Sequence, residues 1–115
     1  LRMQVATIVL NKTECLEELL KRFGEARLNG ATILDSRGMA MELADHDELR
    51  FIGSLRMLME PKHKENKTIL MVIADDQVAL VSRILNEVTG GLDKPDTGIL
   101  FTTPVSYMEG LVHEV

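Results

Sequence analysis

Two apolar stretches carry the strongest structural signal in the sequence: Met3-Gln4-Val5-Ala6-Thr7-Ile8-Val9-Leu10 and Thr68-Ile69-Leu70-Met71-Val72-Ile73-Ala74. Both are rich in β-branched residues and place apolar side chains at odd as well as even positions. In a strand, odd and even side chains point to opposite faces of the sheet. Each stretch therefore predicts a strand with apolar side chains on both faces.

A helical pattern follows the first strand. Asn11 with Glu14 predicts a capping box, and Gly30, preceded by Asn29, predicts the end of the helix through a left-handed glycine. Apolar side chains recur at helical spacing over residues 13–27, namely Leu16, Leu19, Leu20 and Phe23. The first strand and helix thus form a β-α unit.

The second strand is also followed by a helical pattern. Asp75 and Asp76 predict the helix start, because carboxylates cap free N–H groups and favour the positive end of the helix dipole. Gly90 and Gly91 predict its end. The apolar stripe between these limits consists of Val78, Val81, Leu85 and Val88.

Two further strands and a long connection complete the chain. Residues 31–37 and 98–103 predict strands, the latter ended by Pro104. The connection 38–66 is far longer than the usual link of about 4–6 residues, which indicates a functional segment. It is acidic at first, and its residues 51–59 predict a short helix or, because Gly53 disfavours a helix, an extended strand. Lys62-His63-Lys64-Glu65-Asn66 predicts an exposed turn.

The element order predicts an α+β domain over residues 1–115 with a ferredoxin-like βαββαβ fold. In this fold a four-stranded antiparallel sheet carries two helices on one face. The other face would remain apolar and exposed, so we expect a homo-oligomer that packs sheet to sheet.

Composition excludes several functions. The formal net charge is -5 and aromatic residues are 3%, so neither a basic surface nor a stacking platform for nucleic acid is expected. The single cysteine, Cys15, cannot form an intramolecular disulfide and suits a reducing compartment. Apolar runs are too short for a transmembrane segment. We expect a cytoplasmic protein.

The sequence contains no catalytic motif, and its histidines lack metal-ligand spacing, so we predict neither an enzyme nor a metal site. Residues 45–47 combine two aspartates with a histidine, which is more typical of a solvated loop. Residues 89–98 are rich in glycine. They fit an anion-binding nest to which Lys94 adds a charge, or an ordinary connection between helix and strand.

Three segments together resemble the nitrogen-regulatory P-II signalling proteins: 30–38, 72–78, and Thr89-Gly90 followed by 98–105. The resemblance extends over nearly the whole chain. It lies in the order and spacing of these segments and in the positions of their glycines and proline. It implies a ferredoxin-like homotrimer with a small-molecule effector.

The resemblance also implies an adenine nucleotide site in the cleft between subunits, with ATP, ADP or AMP as effector and no obligatory cofactor. The 38–66 connection would contact a protein target such as a transporter, enzyme or regulator, with Phe51, Ser54 and Arg56 as candidate residues. The implied adenine-side residues are Thr32 and Gly38, and the implied phosphate-loop residues are Thr89, Gly90, Gly91 and Gly98.

The chain departs from the family pattern at several positions. Ile99 stands where the family has a basic phosphate ligand, and residues 106–115 contain no Arg or Lys, which predicts a weaker phosphate grip. Residues 38–41 lack the glutamine that serves 2-oxoglutarate binding, so sensing of that ligand is not expected. The family modifies a tyrosine in this connection by uridylylation. Here the only tyrosine, Tyr107, lies outside the connection, which excludes uridylylation there.

These features favour a regulatory protein whose connection changes conformation with an effector. One alternative is a P-II-like trimer that has lost nucleotide binding and senses another small anion or only a partner. An alternative of another class is a small oligomeric α+β enzyme, which the same element order supports.

Overall fold

The computed structural model describes residues 2–44 and 65–110. Four strands, three α-helices and two short 3-10 turns are formed in these ranges. In chain order they are β1 (Met3–Leu10), a 3-10 turn (Thr13–Cys15), α1 (Leu16–Glu25), β2 (Ala31–Ser36), α2 (Met39–Ala44), β3 (Asn66–Ala74), a 3-10 turn (Asp75–Gln77), α3 (Val78–Thr89) and β4 (Gly98–Pro104).

The strands form one antiparallel sheet in the order β2-β3-β1-β4. β1 is central and pairs with β3 along one side and with β4 along the other. This arrangement confirms the predicted α+β, ferredoxin-like fold.

The core lies between the sheet and the helices α1 and α3. The apolar even-numbered residues of β1 and the apolar odd-numbered residues of β3 face this layer and are almost fully buried. The core cluster includes Ala6, Ile8, Leu10, Leu19, Phe23, Ile69, Met71, Ile73, Val81, Ile84 and Leu85. The predicted helical stripes and strand faces therefore agree with the structure.

The opposite face of the sheet, here called the open face, has no covering element among the described residues. By register it is made of Val5, Val9, Leu34, Leu70, Val72, Ile99 and Phe101. Exposed fractions reach 46% for Leu34, 56% for Ile99 and 49% for Phe101. The predicted apolar second face is thus present.

The first helix ends differently from the prediction. The left-handed residue is Arg27, with φ of 64°, and not Gly30. Its N–H donates to the Gly24 carbonyl at 3.0 Å, while the Leu28 N–H donates to Phe23 at 2.8 Å. These two bonds form a Schellman motif, which places Leu28 in the core and ends α1 at Glu25.

The predicted helix starts are also wrong in detail. The N-cap of the first turn is Lys12 rather than Asn11, and it has no side-chain cap. Asp75 does not cap α3, since its carboxylate accepts from Gln4 Nε2 at 2.9 Å. Instead Gln77 Oε1 accepts the Ala74 N–H at 2.8 Å.

The long connection begins with α2, where a helix was not predicted. The predicted helix over 51–59 lies outside the described residues, as do residues 45–47. Asn66 was assigned to an exposed turn. That prediction is wrong, because Asn66 is the first residue of β3 and is buried.

Candidate functional site

The strand ends that border the predicted site lie at the same end of the sheet, across all four strands. Ser36 at the end of β2 pairs with Asn66 at the start of β3, and Leu10 at the end of β1 pairs with Gly98 at the start of β4. We call this the site edge. Three inter-strand spacings separate β2 from β4, so Ser36 and Gly98 are about 14 Å apart.

The glycine loop, residues 89–98, begins at the C-terminus of α3. Gly90 ends the helix in the left-handed conformation, with φ of 91°, and Gly91 follows with φ of 122°. Thr89 is buried, and its hydroxyl donates to the Leu85 carbonyl at 2.7 Å. Its side chain therefore fixes the helix end, and the same hydroxyl oxygen contacts the loop at Gly91.

Four backbone N–H groups of the glycine loop already have acceptors, either in the loop or in α3. Gly90 N donates to Asn86 O at 3.0 Å, and Gly91 N donates to Thr89 Oγ1 at 3.3 Å. Leu92 N donates to Asn86 Oδ1 at 2.8 Å, and Lys94 N to Gly91 O at 3.3 Å. An anion at this loop would meet side-chain cations more readily than a nest of free amides.

Two such cations lie beside the loop. Lys12 Nζ donates to Thr89 O at 2.9 Å, and Lys94 Nζ donates to Gly90 O at 2.7 Å. Each ammonium thereby satisfies a carbonyl at the end of α3, where the helix dipole is negative. Sequence reasoning singled out Lys94 but not Lys12, which lies 77 residues away from Thr89.

Gly98 has a backbone role at the start of β4. Its φ of 156° departs from extended backbone, and a Cβ at this position would lie 2.7 Å from Val9 O. Any side chain at 98 would therefore disturb the pairing of β1 with β4. Ile99 stands where the P-II pattern has a basic residue, and its side chain lies exposed on the open face.

The implied adenine-side residues lie on and after β2. Thr32 is exposed on the open face, opposite Leu70. Gly38 follows the strand, and a Cβ there would lie 4.0 Å from Asn66 Nδ2. Thr32 is four residues before Ser36, or about 13 Å along the strand, so the predicted residues extend from the site edge onto the open face.

A partly buried polar cluster at the site edge was missed by sequence reasoning. Ser36 Oγ donates to the Asn66 side-chain oxygen and lies 2.8 Å from Thr68 Oγ1. Asn66 Nδ2 donates to Asn11 Oδ1 at 3.3 Å. The cluster joins three strand ends. Asparagine and serine give no periodic signal, and only tertiary structure brings these residues together.

Lysine charge near this cluster is partly neutralised. Lys67 pairs with Asp35 across β2 and β3, and this hydrogen bond raises the pKa of the Lys67 ammonium above its ordinary value. The Lys67 ammonium is thus already paired with a carboxylate of the sheet. Lys62 and Lys64 lie outside the described residues.

At the opposite end of the sheet, a cavity of about 410 Å³ lies between the start of β1 and the segment after β4. Arg2 is the charged residue among its lining residues, which are Arg2, Met3, Pro104, Val105, Ser106, Tyr107 and Met108. Tyr107 is largely exposed. After β4, the described residues 105–110 contain no Arg or Lys.

The remaining predicted residues belong to the long connection. Phe51, Ser54 and Arg56 lie outside the described residues and stay predictions. Within 2–44 and 65–110, no group of three His, Cys, Asp or Glu side chains could hold a metal ion. In the same ranges, no helix has the length and apolar character needed to cross a membrane.

The fold is similar to solved P-II signalling proteins. Arabidopsis thaliana PII bound to citrate has a TM-score of 0.63 and 17% identity, covering 91% of this chain and 78% of its own. B. subtilis GlnK has a TM-score of 0.62 and 19% identity, covering 92% and 87%, and is also solved as an ATP complex. A functionally unknown Pediococcus pentosaceus protein reaches 0.63 with 13% identity, covering 96% and 98%.

No family model and no curated protein sequence matches the chain. The similarity is therefore one of structure, and it confirms the P-II-like fold inferred from the sequence.

Proposed function

We propose that this chain is a P-II-like regulatory protein of the cytoplasm, without enzymatic activity. In this proposal an adenine nucleotide binds in the cleft between subunits of a homotrimer. Binding alters the 38–66 connection and so controls a protein target, through Phe51, Ser54 and Arg56. The observation that carries the proposal is the site edge, which brings the base of that connection and the glycine loop together on a P-II-like fold.

The open face supports the trimeric state. Exposed Leu34, Ile99 and Phe101 would be costly to leave in water in a protomer of this size. Two further copies of the chain are the proposed cover. Thr32 lies on this same face, so a neighbouring protomer would reach the adenine-side residues while the glycine loop holds the phosphates.

Lys12 and Lys94 are the proposed phosphate ligands. They take the place of the cations that are missing at Ile99 and after β4. Both ammonium groups would turn from the carbonyls of Thr89 and Gly90 toward phosphate oxygens, to which charged hydrogen bonds are stronger. Because each gives up an existing bond, we expect a lower affinity than a dedicated phosphate cradle would give.

The test is a thermal-shift and calorimetric titration of the full chain with ATP, ADP and AMP, each with Mg²⁺. A ligand at 100 times its Kd stabilises the folded state by about 2.7 kcal/mol, which a melting curve resolves. We expect ATP to bind more tightly than AMP. Lys12→Met and Lys94→Met should each weaken ATP binding about tenfold, as expected for one charged hydrogen bond.

Lys21→Met is the matched control, because it removes an exposed lysine of α1 and should leave ATP affinity unchanged. Absence of binding by all three nucleotides would overturn the nucleotide proposal. Glycine substitutions are poor probes here, since Gly98→Ala would disturb the β1–β4 pairing regardless of any ligand.

A second candidate is a P-II-like trimer that senses another small anion. It is favoured by Ile99, by the paired amides of the glycine loop and by citrate in the Arabidopsis PII structure. Citrate and inorganic phosphate therefore belong in the same titration, and binding of either without nucleotide binding would favour this candidate. Turnover of generic phosphate substrates that Arg56→Ala abolishes would instead favour an enzyme.

A further inference from the structure

The residues between β1 and the first 3-10 turn, Asn11 and Lys12, contact both parts of the site edge. We call this pair the corner. The backbone N–H groups of Asn11 and Lys12 both donate to the Thr97 carbonyl, at 3.0 and 3.1 Å. Lys12 Nζ donates to the Thr89 carbonyl at 2.9 Å. The corner therefore holds the glycine loop near both of its ends.

The side chain of Asn11 points to the other part of the site edge. Its Oδ1 accepts from Asn66 Nδ2 at 3.3 Å. Asn66 is 9% exposed, and its own side-chain oxygen accepts from Ser36. Ser36 and Asn66 are the last and first strand residues on either side of the connection, so this amide contact reaches both of its ends.

We propose that the corner couples the glycine loop to the strand ends that carry the connection, with Asn11, Lys12 and Asn66 as positioning residues. About 14 Å separates these parts of the edge, too far for one small anion to touch both within a protomer. Two adjacent residues span this distance with their side chains. Lys12 bonds to Thr89 in the glycine loop, and Asn11 bonds to Asn66 at the start of β3. When an anion draws the Lys12 ammonium from Thr89, the corner shifts and changes the Asn11–Asn66 contact.

The Asn11–Asn66 bond suits this role because it is a single, long, partly buried amide contact. Neither residue belongs to the hydrophobic core cluster, so the contact can change while the core stays packed. The corner serves regulation only if the proposed function holds, but the mechanical coupling is measurable without any effector.

The experiment is hydrogen–deuterium exchange by mass spectrometry on the full chain, comparing wild type with Lys12→Met. We expect amide exchange to rise at least fivefold in peptides covering 89–98 and also in those covering 36–44 and 65–68. Peptides from α1 serve as the internal reference, because a general loss of stability would raise exchange there as well.

Lys94→Met is the matched control. Its ammonium binds the adjacent carbonyl of Gly90, so its loss should raise exchange in 89–98 only. In the reverse direction, Ser36→Ala and Asn66→Ala should raise exchange in 89–98; Ser36→Ala is the milder change if Asn66→Ala unfolds. If Lys12→Met affects the same peptides as Lys94→Met and no others, the coupling is overturned.

The same experiment with Mg²⁺-ATP separates this inference from the proposed function. Failure of ATP to protect 89–98 in the wild type counts against nucleotide binding and leaves the variant comparison intact. Protection of 89–98 together with changed exchange in 36–44 supports both, provided that Lys12→Met abolishes the second effect at an ATP concentration that still protects 89–98 in the variant. Protection confined to 89–98 in the wild type overturns the coupling while supporting nucleotide binding.

Discussion

The two faces of the sheet are made by the same strands and differ in what covers them. On the helix face, Ile8 and Ile69 are fully buried beneath α1 and α3. On the open face, Ile99 and Phe101 are about half exposed, although they are equally apolar. Within residues 2–44 and 65–110, the sheet thus has two apolar faces and a helical cover for one, and in the proposed trimer other copies supply the second cover.

The largest expected effect is loss of that second cover. Phe101→Asp places a charge on the open face, where burial against another copy would be very unfavourable. We expect the mass measured by light scattering after size exclusion to fall from trimer to monomer. Ala79→Asp, which adds the same charge to the exposed side of α3, should leave the mass unchanged. A wild-type monomer would contradict the trimer directly.

Truncation on the helix face should reduce stability strongly. Ile8→Ala removes buried methyl groups from the central strand, and such changes cost about 2–5 kcal/mol. The free energy of unfolding, measured in urea at several protein concentrations, separates this loss from effects on assembly. A loss below about 1 kcal/mol would mean that the helix face is less tightly packed than its burial indicates.

Features of this contrast that repeat with a regular period along the chain could be predicted from the sequence. Alternation in β1 and β3 and the stripes of α1 and α3 are repeated local signals, so faces, helices and fold class were all predictable. The site edge carried no such signal. Asn66 is flanked by Glu65 and Lys67, which suggested solvent, and its burial depends on Ser36 and Asn11 from distant parts of the chain.

The candidate site was predicted by resemblance more than by chemistry. Glycine content fitted either an anion nest or an ordinary connection. The N–H partners of Gly90, Gly91 and Leu92 depend on Asn86 and Thr89 in α3 and could not be read from composition. Lys12 was missed because its partner Thr89 is remote in sequence. The end of α1 was misplaced because Arg27 occupies a conformation in which glycine is expected.

That helix end gives a prediction that sharpens the contrast between the faces. Arg27 in the left-handed conformation costs about 1 kcal/mol relative to glycine. Arg27→Gly should therefore raise the free energy of unfolding by about 1 kcal/mol, through the helix layer alone and without changing the assembly mass. Arg27→Lys keeps the backbone cost and should have no such effect. Equal stability of both variants would argue against the left-handed assignment.

The smallest expected effect concerns pH. Arg22 on α1 donates to Glu87 on α3 at 2.9 Å, and this hydrogen bond lowers the pKa of the Glu87 carboxyl below its ordinary value. A carboxyl whose pKa is lower in the folded state stabilises the fold at neutral pH and loses that contribution as pH falls. Below about pH 4.5, unfolding free energies should therefore fall slightly more steeply for wild type than for Glu87→Gln. Parallel curves would mean that the pair contributes nothing.

The central position of β1 has a consequence for synthesis on the ribosome. β1 emerges before the other three strands of this sheet, yet its pairing with β4 joins Gln4 to Pro104 and Val9 to Ile99. At about 5–20 residues per second, roughly 5–20 s pass before that edge can be closed. For this period an apolar strand with an unpaired edge is open to aggregation. We therefore expect chaperones to protect the nascent chain during this period. The yield of folded protein should fall when chaperones are limiting.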